Sequence, residues 1–526
     1  MRPPSRLHQN LTAALREVGS PGEATALLRA CAVDLGDAIE RHALLVYASL
    51  VALCYAVFRA AIGAFTIEPD ESWILLSTYR AFGGEVAGAG AVTFPTVTSG
   101  GLHFLIHGLL GLATHAIVLH RAISLLFLTG LMLMVYGLMR RRAASPRGAA
   151  MAATFVMATP GTVLVSTLAM AEIMATVLLL ATAAYWAGRG RNSLAGAALT
   201  GLMLGLTCAT RANCLVCVPV VCGFACLDAP DWKRGLARAA LVLGASLAVY
   251  VACLGAYITM FTVGDWSAFR SVLFVATGVG EDKSLGQHLL YLSLAADFFP
   301  TLLVAGLLAG LTAGRRSGAE LRLPLLLVAL ALAGALAWVA KAPIPHVRYV
   351  WPFAPLLFVA AGLLVQDLGL RERRGPRLAM HLLVIAAVVQ QLATALVYVA
   401  AGDSLVAVYQ ANRQAGLNPG IAVHADARDQ QAMARAIAAL PADAEIATST
   451  PPLGYPLTYL SGRPIRAARE WHPTRPGPLY FLVSPGDHAV FHLNAQTSGW
   501  LTRNATPAFR SGGYALYAVT GKEPYR

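Results

Sequence analysis

The chain has 526 residues, of which 57% are hydrophobic and only 13% charged, about half the charged share of an average soluble domain. With a mean hydropathy of +0.61, this composition excludes a purely water-soluble globule, because the deficit of charge is carried by long apolar runs of the kind that cross bilayers. The formal net charge of +13 is not the footprint of a nucleic-acid binder: Lys and Arg fall in short clusters between the apolar runs, which is the positive-inside pattern.

Residues 1–42 mix Arg2, Arg6, Arg16 and Arg29 with acids and contain no apolar core. They read as a cytoplasmic segment, an amphipathic helix lying on the bilayer surface, and not as a cleaved signal peptide. Spans are predicted over residues 43–61, 121–139, 149–166, 169–187, 194–210, 214–227, 239–261, 289–313, 323–340, 350–370 and 378–401. That makes about eleven helices near the ~20 residues needed to cross the hydrocarbon. All eight Cys lie before residue 254, mostly within these runs. Cys214 and Cys217 form a CxxC, but on an apolar span without a second pair they read as small core residues.

The loops alternate in charge. One set carries Arg140-Arg141-Arg142, Arg189, Arg191, Lys233-Arg234, Arg315-Arg316 and Arg371 with Arg373-Arg374. The other carries Glu68, Asp70, Glu71, Glu85, Asp265, Glu281 and Asp282. The first set is expected in the cytoplasm and the second outside, in a bacterial-type inner (plasma) membrane. An odd number of spans then places residues 402–526 outside as well. This tail reads as a small α/β domain, with a helix over 426–440 and strands over 446–448, 480–483 and 514–519. No internal repeat is visible, nor the inverted halves of many transporters.

Charge beside a span is costly and points to function. Arg59, Arg121, Glu172, Arg211 and Asp297 all fall near span ends on the outer side, which suggests a polar cavity open to the outer leaflet. The first outer loop, 62–120, is the richest. Its run Glu68-Pro-Asp-Glu-Ser-Trp73 has two readings of equal weight. It is either a helix start, with acids complementing the dipole and Trp73 and Tyr79 anchored in the headgroups, or a site with Asp70 as general base and Glu71 beside it. In the later outer loop 341–352, Lys341, His346 and Arg348 lie on a Pro-stiffened turn that can hold a phosphate, or anchor the membrane edge with Tyr349 and Trp351. His103 and His107 sit one helical turn apart and read as core or interface histidines, since a metal would need a further ligand.

Four stretches together resemble the GT-C glycosyltransferases that use polyprenyl-phosphate sugars, such as protein O-mannosyltransferases and lipid A aminoarabinose transferases. They are Pro69-Asp70-Glu71 after the first span, Leu119-His-Arg-Ala-Ile-Ser124 opening the second, the glycine-rich Gly201 to Arg211 followed by Pro219, and His346-Val-Arg-Tyr-Val-Trp-Pro-Phe-Ala-Pro355. The resemblance covers residues 43 to about 370 and departs at Gly100-Gly101-Leu102-His103, where relatives often carry a Pro-rich step with Lys or His. It implies an α-helical polytopic GT-C-like membrane domain over 43–401, followed by the outer α/β domain 402–526. It also implies inverting transfer of a sugar from a polyprenyl-phosphate donor to a hydroxyl of an envelope glycan, lipid or protein. Asp70, with Glu71, would be catalytic. Arg348, Arg211, Lys341 and His346 would bind the donor phosphate. Glu172, Asp297, His103 and Arg121 would line the cavity. No organic cofactor is implied, a divalent metal remains an open option, and the expected partners are the lipid-linked donor, its acceptor and membrane lipids. Two other classes fit less well. An envelope polysaccharide polymerase or ligase tends to carry a large outer loop between spans, and a flippase or transporter favours internal symmetry.

Overall fold

In a bilayer every backbone N–H and C=O must find its partner within the segment, so the apolar runs form helices. The structure is a computed structural model and describes residues 38, 41–65, 67, 69–82, 101–142, 145–159, 161–262, 318–341, 350–365, 374–401, 427–449, 451–468, 477–485, 495–521 and 525. The membrane part contains α1 (Ala43–Ala64), α2 (Pro69–Ala81), α3 (Gly101–Ala113), α4 (Ile117–Arg141), α5 (Pro146–Phe155), α6 (Thr162–Thr167) and α7 (Glu172–Gly188). It continues with α8 (Leu194–Thr210), α9 (Cys217–Leu227), α10 (Trp232–Thr262), α11 (Gly318–Lys341), α12 (Ala354–Val365) and α13 (Arg374–Ala401). The N-terminal segment 1–37, the span expected over 289–313 with Asp297, and His346 and Arg348 lie outside the described residues.

Among the described residues, α1, α4 and the first 25 residues of α10 are each long and apolar enough to cross a membrane. Most other predicted spans are present as helices, and three differ. The run predicted over 149–166 is two short helices joined by a 3-10 turn at Val156–Ala158. Pro160 has no N–H to donate, and Gly161 follows at φ +80°, a left-handed conformation that a side chain resists. Helix α9 begins three residues later than expected, after a 3-10 turn at Ala212–Val216. The span predicted over 350–370 is the 12-residue α12, which starts just beyond Pro352.

Among the described residues the most closely packed helix pair is α8 against α10. A Cβ at Gly201 would lie 2.7 Å from Val242 O, and one at Gly205 would lie 2.6 Å from Ser246 O. Two glycines one turn apart thus let the backbones touch, the small-xxx-small device of membrane helices, and Ser246 Oγ donates to Gly201 O at 3.1 Å. Cys214 and Cys217 are free and fully buried here, as small core residues.

Helices α1 and α13 are packed near their starts, where Tyr47 and His381 share a buried hydrogen bond. They therefore run in the same direction, and the chain leaves α13 at the end where it leaves α1. At the opposite end Asp228 joins Arg322 Nε at 3.0 Å and Trp186 Nε1 at 3.2 Å, next to the turns that carry Arg189, Arg191 and Lys233-Arg234.

The C-terminal domain is a five-stranded mixed sheet of order β2-β1-β3-β5-β4, built from β1 (Glu445–Thr448), β2 (Ile465–Ala467), β3 (Leu479–Val483), β4 (Ala505–Ser511) and β5 (Tyr514–Val519). Strand β1 is parallel to β2 and β3, whereas β5 is antiparallel to β3 and β4. Helices α14 (Ala427–Ala438) and α15 (Pro451–Ser461) cover one face through Met433, Ile437, Leu457, Ile446 and Leu482, and α16 (Ala495–Asn504) covers the other through Trp500 and Phe481. Helix α15 packs on α2, so the tail sits on the same side of the membrane part as the first loop.

Candidate active site

The site grows from the short stretch between α1 and α2. Helix α1 ends at Phe65, which is extended at φ −74°, ψ 141°, and α2 restarts at Pro69, a residue suited to the first helical position. Between them the chain is fastened by Arg121, the fifth residue of α4. Its Nε and Nη2 donate to the two carboxylate oxygens of Glu71 at 2.8 and 2.7 Å. Its Nη1 donates to Ile62 O at 2.9 Å and Phe65 O at 3.1 Å, carbonyls left unsatisfied where α1 stops. Glu71 and Arg121 are 0% and 1% exposed. Such a buried pair is stabilising only with near-ideal geometry and further hydrogen bonds, and Glu71 Oε1 meets that need by accepting from Ala169 N at 2.7 Å.

The peptides around residue 169 are pinned from three sides. Ser124 Oγ, one turn along α4 from Arg121, donates to Leu168 O at 2.7 Å, and His103 Nε2 lies 3.2 Å from Ala169 O. This bend delivers the chain into α7, whose first residue is Glu172. Glu172 Oε1 meets Arg211 Nη2 at 2.9 Å, both side chains being buried. The carboxylate complements the positive end of α7, while Arg211 is the residue at which α8 stops.

A row of rings runs beside these pairs. On α3 the His103 and His107 rings lie 4.2 Å apart, tilted by 44°, and His107 Nδ1 is 2.9 Å from His120 Nδ1. One of those two nitrogens must donate and the other accept, so the contact requires a neutral imidazole. Burial favours the same state: it pushes the His107 imidazole well below its usual range and His103 down to about 3. His120 Nε2 continues to Tyr79 OH at 2.6 Å, and Tyr79 OH lies 3.4 Å from Tyr459 OH of α15. Tyr459 in turn donates to His115 O, and burial pushes its phenol up to about 12. Tyr79 comes this close because Gly111 has no side chain; a Cβ there would stand 2.3 Å from the Tyr79 ring.

The expected residues are therefore sorted by the fold. Glu71, expected as catalytic with Asp70, and Arg121, expected as a cavity cation, form one buried clamp. Arg211 and Glu172, singled out separately, form one ion pair. Asp70 is the second residue of α2 and Lys341 the last of α11, and their side chains lie outside the described atoms. The segment that follows Arg348 and His346 is tied to α7, where Thr176 Oγ1 donates to Pro352 O at 3.2 Å, one turn below Glu172. Of three aromatic residues expected as headgroup anchors, two are buried and one, Trp73, is half-buried. Tyr79 and Trp351 are buried at 1% and 0% exposure, and Trp73 packs at 6.1 Å on Tyr455 of the tail. His103 and His107 gained a third ring, His120, from α4. Among the described residues no group of three or more His, Cys, Asp or Glu is arranged to hold a metal ion.

Ser124, Tyr459 and Gln430 were not legible as site residues. His120 and Ser124 flank Arg121 within the quoted motif, so the helical spacing from Arg121 was the available signal. Tyr459 and Gln430 come from the tail, where no local pattern marks them.

No protein-family model and no curated protein sequence matches the chain. Solved structures do. ArnT from Cupriavidus metallidurans bound to undecaprenyl phosphate superposes with a TM-score of 0.57 over 90% of this chain and 97% of that one, at 16% identity. The apo form of the same enzyme gives 0.57 over the same shares at 15% identity. The apo oligosaccharyltransferase of Archaeoglobus fulgidus gives 0.52 over 84% of this chain and 70% of that one, at 12% identity.

Proposed function

From the GT-C fold that this membrane protein shares with ArnT and the archaeal oligosaccharyltransferase, we propose that it transfers a sugar from a polyprenyl-phosphate donor to a hydroxyl of an envelope acceptor, with inversion. The acceptor oxygen attacks the anomeric carbon, the bond from that carbon to the phosphate oxygen breaks, and polyprenyl phosphate departs. Asp70 takes the hydroxyl proton as general base. Arg348, with Arg211 and Lys341, carries the charge that grows on the leaving phosphate.

The observation that carries this reading is the clamp. Arg121 fixes the residue directly after Asp70 and the end of α1 before it, and a catalytic base must be held in place to act. The tie from Thr176 to Pro352 supports the second half, because it brings the segment following Arg348 beside the helix that starts with Glu172. A groove in the membrane suits a donor with a hydrocarbon tail, and one solved relative of this fold is described with undecaprenyl phosphate bound. The test is direct: purified protein is incubated with a panel of polyprenyl-phosphate sugars and release of polyprenyl phosphate is followed. No release from any donor, in the presence of glycan, lipid and protein acceptors, retires the reading.

Two further outcomes are expected. Since α1 and α13 run in the same direction and the turns carrying Arg189, Arg191 and Lys233-Arg234 lie at the opposite end, a reporter fused after residue 526 should be active only where it reads export; activity in the cytoplasm would reverse the assigned sides. Arg348→Lys should lower kcat/KM for the donor by about ten- to 100-fold, because Lys keeps the charge but not the bidentate fork, and a charged hydrogen bond contributes about 1.5–3 kcal/mol. Unchanged kinetics in Arg348→Lys and Arg348→Gln would leave that residue as an anchor and move the phosphate role to Arg211 or Lys341.

A further inference from the structure

The segment that carries Asp70 is gripped from two sides. Arg121, from the membrane part, holds Ile62, Phe65 and Glu71. The second grip comes from 363 residues away in sequence. Ile67 N donates to Gln430 Oε1 at 2.9 Å, and Gln430 Nε2 donates to Ile67 O at 2.9 Å. The Gln430 amide thus pairs with both backbone groups of Ile67 as a neighbouring strand would, three residues ahead of Asp70.

The grip has a rigid base. Gln430 is 3% exposed, and the remaining N–H of its amide points at Tyr514 OH, 3.4 Å away on β5. The orientation of the amide is set by Ile67 itself, whose N–H needs the Gln430 oxygen and whose carbonyl needs the NH2 group. Its neighbour Asp429 accepts from Ser511 Oγ at 2.7 Å at the β4–β5 turn, so α14 is tied to the sheet at the point of contact. Around it, α15 packs on α2 through Tyr455 against Trp73 and Tyr459 against Tyr79. The tail domain is therefore part of the wall that shapes the first loop.

We propose that Gln430 is a positioning residue for the 67–71 segment, so that the C-terminal domain completes the membrane-embedded site by setting where the Asp70 carboxylate stands. This rests on the transferase reading for its effect on turnover, but the grip itself does not depend on it. An unpaired Ile67 would release the stretch between Phe65 and Pro69 from the tail domain, and small misplacements of a catalytic group lower rates by as much as about 100-fold.

The experiment compares wild type with Gln430→Ala and with Gln430→Glu, which keeps the size and one acceptor but turns a carboxylate toward the Ile67 carbonyl. In both variants, hydrogen exchange in peptides spanning residues 62–76 should speed up by at least about tenfold, with α8 and α10 unchanged. In both, kcat should fall about ten- to 100-fold while KM for the lipid-linked donor stays near wild type. In an Asp70→Asn background, Gln430→Ala should add no further loss, because the group it positions is gone. Wild-type exchange in both variants overturns the grip. Faster exchange with unchanged kcat, or a loss that persists in full on top of Asp70→Asn, overturns the positioning of Asp70. A wild-type protein that consumes no donor would instead retire the transferase reading, and the exchange comparison would still decide whether the grip exists. Should Gln430→Ala fail to fold, Gln430→Glu carries the test.

Discussion

Asp70→Asn should lose at least about 99% of transferase turnover, the ~10²-fold or greater contribution of a positioned base, while expression and melting stay close to wild type. The substitution keeps the shape and polarity of the side chain and removes only its capacity to take a proton. Asp70 sits at the second position of α2, where a carboxylate also complements the helix dipole, so the charge loss alone costs about 0.3–1 kcal/mol of stability. That is too small to explain a hundredfold kinetic loss through unfolding. The measurement is kcat for polyprenyl phosphate release, alongside melting followed in detergent. If Asp70→Asn turned over at more than a tenth of the wild-type rate, Asp70 would be a helix-start acid and nothing more.

The second large effect is on stability, at Arg121. Arg121→Leu leaves the Glu71 carboxylate buried at 0% exposure without its bidentate partner, and it also strips Ile62 O and Phe65 O of a donor. Removing one member of a buried pair costs about 3–5 kcal/mol. Arg121→Leu should therefore fold poorly or melt far below wild type, and it should be inactive because the 62–71 segment loses its frame. The double change Arg121→Leu with Glu71→Leu removes the uncompensated charge, so it should be more stable than Arg121→Leu alone, though Ala169 N would then lose its acceptor. Activity should not return, since packing cannot replace the fixed geometry next to Asp70. Wild-type melting in Arg121→Leu would sink the clamp as the frame of this site. A double variant no more stable than the single one would show that the lost carbonyl contacts dominate over the stranded charge.

Most membrane helices could be read from the sequence because the bilayer imposes one rule: an apolar run of sufficient length has to be a helix. The span over residues 194–210 was placed at its observed ends, between the Ser193 cap and Arg211, since both termini carry local chemistry. Runs near Pro160, Pro352 and Asn213 were drawn too long, because an apolar stretch does not show where the backbone tightens into a 3-10 turn or stops at a proline. In the tail, β1, β3 and β5 and helix α14 were legible from alternation and amphipathicity, whereas β2 has three residues, too few for its buried–exposed–buried alternation to stand out, and β4 is largely exposed and carries no buried face to mark it.

The sequence by itself determined that this is a polytopic membrane protein with charge gathered at span ends, and it picked out Glu71, Arg121, Glu172 and Arg211 one at a time. Only the tertiary structure decided that these are two ion pairs. A carboxylate near a membrane is costly in isolation and tolerable when paired, yet the partner lies 50 residues away for Glu71 and on a separate helix for Glu172. The pairing of Gln430 with Ile67, and of Tyr459 with Tyr79, was equally invisible. Those contacts join the last domain to the first loop, and no periodicity within either segment encodes which residue the other will present. Local pattern follows from the local solvent, so sequence carries it. The arrangement around Asp70 depends on which side chains from distant segments satisfy one another in the same buried space, and that is settled only when the chain has folded.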